Sequence, residues 1–129
     1  MLNRKVNNSS LYNGGLIPEP KVQKKMTYSQ EKLMLALYEC FAIGEGDARD
    51  RLSKAFQYFL FNLREEHFSI EHWSRFNKVK GRLTKNGPLT AINGEVIVGS
   101  FENGKNGMKN KTASKLIMEL VMIYRELNA

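Results

Sequence analysis

The stretch SIEHWSRFNKVKGRLTKNGPLTAINGEVIV, residues 69–98, decides how the chain reads. Ile70, Trp73, Phe76, Val79 and Leu83 recur at three- and four-residue spacing, which is one face of an α-helix. Ser69 precedes that stripe and suits the N-cap, where a hydroxyl accepts from a free backbone N–H. Arg75, Lys78, Arg82 and Lys85 follow each other at the same spacing. At roughly 100° per residue they point about 160° away from the apolar stripe. The helix is therefore expected to anchor by Trp73 and Phe76 and to present four cations outward. It ends either at Gly81, which weakens a helix by about 1 kcal/mol relative to Ala, or at Gly87-Pro88, a strong stop. Asn93-Gly94 then signals a two-residue hairpin turn, whose central residues both need positive φ. Residues 89–92 and 95–98 flank it as strands, the second rich in β-branched side chains.

Two helices precede this segment. Over residues 28–43, Leu33, Leu37, Cys40 and Phe41 form an apolar stripe widened by Met34 and Ala36. Thr27 and Gln30 have capping-box spacing at its start, and Gly44 suits the left-handed position past its end. Over residues 48–63, behind Asp47 as N-cap, Leu52, Ala55, Phe56, Phe59, Leu60 and Leu63 form a second helix face. Tyr58 and Phe61 lie outside it, and are expected to cover a second core side or to meet a partner. Downstream, residues 112–128 form a helix that is apolar nearly all round at 116–124. Such a helix is central to the core or shared with another chain. Residues 99–110 read two ways. Asn103-Gly104-Lys105-Asn106-Gly107 has loop composition, yet Phe101, Met108, Thr112 and Leu116 continue a helical stripe from a start near Ser100. The whole reads as mainly α, a compact bundle of about four helices with one short β-hairpin before the last.

At 129 residues and 42% hydrophobic content the chain can bury a core without staples, which rules against disorder throughout. Residues 27–129 read as one domain. Residues 1–26, with Asn7-Asn8-Ser9-Ser10, Asn13-Gly14-Gly15 and Pro18-Glu19-Pro20, read as a flexible or irregular tail. Within it Leu11, Tyr12, Leu16 and Ile17 could dock on the body as a strap. The single cysteine, Cys40, excludes an internal disulfide and a multi-cysteine zinc site, and reads as a buried small hydrophobe. No apolar run near the N-terminus suggests a signal peptide, and none elsewhere reaches the roughly 18 residues a bilayer needs. A cytoplasmic, reducing location is expected.

No motif carries catalysis. His67 and His72 are five apart, not the four that places a metal pair on one helix face, and no third ligand accompanies them. Gly44-Glu45-Gly46-Asp47 follows a helix rather than a strand, so capping explains it better than dinucleotide binding. The Gly94 and Gly99 spacing of a phosphate loop lacks its lysine. No cofactor, metal or catalytic residue is assigned.

Charge is the informative feature. The formal net charge is +7, and residues 69–115 hold nine basic and three acidic residues. Besides the helical four, Lys105, Lys109, Lys111 and Lys115 lie there, among glycines and asparagines that allow close backbone approach. A cationic face neutralises phosphates and releases their counterions. The expected function is thus a small basic, non-enzymatic nucleic-acid-binding protein, accessory or regulatory. Its contacts would be Arg75, Lys78, Arg82, Lys85, Lys105, Lys109 and Lys111. The alternative is a protein-interaction module, an inhibitor or adaptor for an acidic partner, using Tyr58 and Phe61. The 112–128 helix offers a homo-oligomer contact in either case. Two helices, a short turn, a cationic helix and an Asn-Gly hairpin together resemble the element order of winged helix domains over residues 27–100. That resemblance implies a third helix entering the major groove with the hairpin beside it.

Overall fold

The fold is seen in a computed structural model, which describes residues 26–129. The expected tail, with its strap residues, lies outside the described residues except for Met26. Helix α1 (Tyr28–Leu35) continues as a π-helical segment, Ala36–Ala42, and α2 (Ala48–Ala55) continues as another, Phe56–Leu60. A 3₁₀ turn (Glu65–His67) leads into α3 (Ile70–Thr84). Strands β1 (Leu89–Thr90) and β2 (Val96–Val98) form an antiparallel hairpin. A short α4 (Ser100–Gly104) and a 3₁₀ turn (Lys105–Gly107) precede α5 (Asn110–Leu127). The chain is thus mainly helical, with the hairpin before the last helix. The helical reading of residues 100–104 is the one the structure adopts.

The caps form as the sequence suggests. Thr27 and Gln30 make a reciprocal capping box at α1, as do Asp47 and Asp50 at α2. Ser69 Oγ accepts from the His72 N–H at 3.2 Å. Each satisfies helix-start N–H groups that have no intrahelical partner. Helix α3 runs through Gly81 to Thr84, and Gly87, at φ 66, follows its end. A Cβ on Gly81 would meet nothing within 4 Å. Gly81→Ala is therefore expected to stabilise the fold by about 0.5–1 kcal/mol, read as a rise in the thermal unfolding midpoint.

One core joins the helices. Leu33, Ala36 and Cys40 meet Leu52, Ala55, Phe56 and Leu60, and these meet Phe76, Val79 and Leu83 of α3 and Ala113, Leu120 and Ile123 of α5. Phe56 sits centrally, its ring 5.6 Å from Phe76 and 5.4 Å from Phe101 of α4. Full burial of one such side chain contributes about 1.5–3 kcal/mol. Two buried serines tie the layers. Ser29 Oγ donates to the His67 carbonyl at 2.8 Å, and Ser53 Oγ donates to the Phe101 carbonyl at 2.9 Å. Helix α5 runs antiparallel to α1. At one end Gln30 Nε2 donates to Leu127 O at 2.7 Å; at the other, Asn110 Nδ2 donates to Asp47 Oδ2 at 3.2 Å.

Several expectations need correction. Gly44 is not the left-handed residue; Gly46 is, at φ 94. Gly44 instead lies so close to the Cys40 carbonyl that a Cβ would overlap it. Ile70 is 87% exposed rather than part of the apolar face. As first residue of α3 its side chain leans back past the helix start, and burial begins at Trp73 and Phe76. Tyr58 and Phe61 cover no second core side; they are 61% and 50% exposed. The hairpin closes over three residues, Ile92-Asn93-Gly94, not two. Ala91 N–H donates to Glu95 O at 2.8 Å, Gly94 N–H donates to Ala91 O at 2.9 Å, and Gly94 has φ 87. This is the three-residue hairpin in which glycine takes the left-handed position.

Gly104 belongs to packing rather than to an open loop. A Cβ there would run into the Leu83 carbonyl, so α4 crosses the end of α3 at backbone contact. Gly104→Ala is expected to destabilise by about 1–3 kcal/mol through overpacking, read as a lowered urea midpoint.

Candidate nucleic-acid interface

Helix α3 is held rigidly. Phe76, Val79 and Leu83 are buried, and Trp73 packs partly buried against Phe68 and Phe76. Its first two turns are clamped to α5. Arg75 Nε donates to Glu119 Oε2 at 2.8 Å and Arg75 Nη1 donates to Glu126 Oε1 at 2.7 Å. His72 Nε2 lies 3.1 Å from the same Glu126 oxygen. Arg75 is thus turned toward two carboxylates rather than outward. Hydrogen bonds that it donates to Glu119 first, and then to Glu126, raise its pKa further, so it stays charged. Lys105 is similarly engaged, its Nζ 3.2 Å from Asp50 Oδ1. All three partners are far away in sequence, by 44 and 51 residues for Arg75 and 55 for Lys105, so no local spacing could signal them.

The remaining cations are differently placed. Lys78, Arg82, Lys85, Lys109 and Lys111 are all exposed, and none forms an ion pair among the described residues. The contacts of His72 and Arg75 with Glu126 and Glu119 make α3 antiparallel to α5. Continuing from Arg75 at 1.5 Å per residue, Lys78 comes level with the middle of α5, and Arg82 and Lys85, at the end of α3, with its first half. Exposed Lys109, Lys111 and Lys115 sit there. The face between α3 and α5 therefore has a neutralised end, at His72, Arg75, Glu119 and Glu126, and a cationic end. Glu65 and Glu66, which would repel phosphates, belong to the turn before α3, at the neutralised end. Among the described residues Glu95 and Glu102 pair with none of the lysines or arginines.

The clamp carries a pH dependence. Hydrogen bonding from Arg75 first, and then from His72, holds the Glu126 carboxyl below its ordinary value near 4.5. A carboxylate with a depressed folded-state pKa stabilises fully above its unfolded-state pKa and loses that contribution as pH falls through the folded one. Glu126→Gln is therefore expected to lower the urea midpoint at neutral pH, with the gap to the parent closing below about pH 4.

The chemistry available elsewhere is limited. A cleft of about 420 Å³ opens among the starts of α1 and α3 and the end of α5, lined by Ser69, His67 and His72 among others. Ser69 Oγ is 2.9 Å from His72 Nδ1, in line with the His72–Glu126 contact. Yet Ser69 Oγ is engaged as the α3 cap and Glu126 is engaged by Arg75, so the chain of contacts acts as a helix clamp. His67 Nδ1 accepts from the Arg64 N–H at 2.9 Å. Cys40 is buried, and burial first, then the nearby Glu39, pushes its thiol pKa up, away from thiolate chemistry. Among the described residues no three potential ligands gather as a metal site, and no helix is long and apolar enough to cross a membrane. Compared with protein-family models, curated proteins and solved structures, the chain matches none of them.

Proposed function

We propose that this is a small, non-enzymatic nucleic-acid-binding protein, accessory or regulatory in role, that grips the phosphate backbone with the cationic end of the α3–α5 face. One observation carries this reading. Arg75 and Lys105 are each held by carboxylates, whereas Lys78, Arg82 and Lys85 stand exposed and, among the described residues, without ion pairs on a helix whose other side is locked into the core. A helix already fixed by its core contacts leaves only side chains to be ordered when these cations meet a row of phosphates. Lys109, Lys111 and Lys115 extend the row. The interface thus centres on Lys78, Arg82 and Lys85, with Arg75 and Lys105 acting in its support. We place this role in the cytoplasm.

An acidic protein is the second reading, favoured by exposed Tyr58 and Phe61 on the α2 segment. Aromatic side chains of this kind anchor protein interfaces. The two readings separate by competition. A fluorescent duplex is bound at low salt and challenged with unlabelled duplex or with a poly-glutamate peptide of equal charge. Displacement by duplex at far lower concentration supports nucleic acid. Equal displacement by the peptide supports a general acidic partner.

A further inference from the structure

Two exposed stripes flank an apolar groove on the side of the molecule where α1 meets α5. The groove, about 430 Å³, is floored by Leu37, Phe41, Val121 and Tyr124 and edged by Met34, Tyr38 and Ala42. Along one side of α1 and its π-helical continuation the exposed residues Glu31, Met34, Tyr38 and Ala42 line up, continued by Glu45 just past the helix. Along one side of α5 the exposed residues Lys111, Lys115, Met118, Met122 and Arg125 line up, at alternating spacings of four and three. Each stripe has an apolar middle and charged ends, acidic on α1 and basic on α5. None of these charged residues forms an ion pair among the described residues. The antiparallel run of the two helices puts Glu31 and Arg125 at one end of the groove and Glu45 and Lys111 at the other.

We infer that this face pairs two copies of the chain about a two-fold axis running along the groove. Such an axis keeps each residue at its level along the helices and lays α1 of one copy over α5 of the other. Met34 and Tyr38 then meet the partner's Met118 and the partner's Met122, apolar on apolar. Glu31 meets the partner's Arg125, and Glu45 meets the partner's Lys111. A surface that is complementary to itself under one rotation is what an isologous dimer requires. Methionines suit it, because their flexible thioethers fill an irregular groove. The pairing shares Lys111 and Lys115 with the proposed nucleic-acid face, so it is tested at its other end, where Glu31 and Arg125 lie far from Lys109.

The test is the mass of the full chain by light scattering across a dilution series, with charge-swapped variants. The parent should sediment and scatter at twice 14.8 kDa. Tyr38→Glu, at an exposed position, should leave a folded monomer by circular dichroism. Glu31→Arg alone and Arg125→Glu alone should each weaken dimerisation by at least about tenfold. The two together should restore it to within a few-fold of the parent. A monomeric parent overturns the proposal, as does a double variant no tighter than either single one. If the parent is monomeric and Tyr38 becomes accessible to solvent labelling only in Leu16→Glu/Ile17→Glu, the chain's own N-terminal segment takes the groove. If that variant changes nothing, the face is left to a different protein.

Discussion

Reversing Lys78, Arg82 and Lys85 to glutamate together is expected to lower duplex affinity on the order of a few hundredfold at 0.1 M salt. The figure follows from counterion release. Each phosphate neutralised contributes about 0.9 to the slope of log affinity against log salt, so three contribute about 2.7. At a tenth of molar salt that is about 2.7 decades of affinity. The three side chains are exposed and without ion pairs among the described residues, so reversal should leave the unfolding midpoint near that of the parent. Fluorescence anisotropy of a labelled duplex reads the first effect and urea denaturation the second. The control is Arg75→Gln, which breaks the α5 clamp. It should lower stability while changing the salt slope by much less than the triple reversal. Equal loss of binding in the two variants would mean that the face acts through the fold and not through its charges.

Phe76→Ala should produce the opposite pattern, a loss of about 3–5 kcal/mol in stability with any loss of binding secondary to unfolding. Phe76 is fully buried, and its ring packs at 5.6 Å from Phe56, 5.0 Å from Phe68 and 6.0 Å from Trp73. Removing it opens a cavity where α3, α2 and the turn before α3 meet. Rigid neighbours cannot collapse fully into such a cavity, so dispersion contacts are lost along with the transfer energy. Helix α3 is then held mainly by Val79, Leu83 and the Arg75 clamp. Urea denaturation checks this directly. A loss well under about 2 kcal/mol, the low end for large-to-small core changes, would show that α3 is not anchored as described.

These two residue sets show what was legible in the sequence. The apolar stripe of α3 and the caps at Thr27, Asp47 and Ser69 rest on spacings of three and four residues, which backbone geometry fixes locally. Ile70 apart, which is exposed at the helix start, they appear in the structure where the spacing puts them. The hairpin was legible from Asn93-Gly94, but its loop length was not, because glycine at that place serves either a two- or a three-residue closure. Features set by distant contacts were silent. Nothing near Gly104 announces the Leu83 carbonyl. Nothing near Arg75 announces Glu119 or Glu126.

The π-helical ends of α1 and α2 belong with these. In α1 the Ile43 N–H reaches back five residues to Tyr38 O at 3.1 Å. No residue type in the segment announces that widened turn. In the candidate site the sign and direction of Lys78, Arg82 and Lys85 were readable, because an amphipathic helix points its polar face away from its buried one. Which cations would be left unpaired was decided by tertiary contacts alone.

The central claim is that a fixed cationic row meets phosphates, and a salt titration of the unmodified chain against a random-sequence duplex tests it most directly. Six exposed cations, Lys78, Arg82, Lys85, Lys109, Lys111 and Lys115, bound the contact. If most of them meet phosphates, log affinity should fall against log salt with a slope of about −3 to −5. A slope near zero, or no binding even at about 50 mM salt, would contradict it.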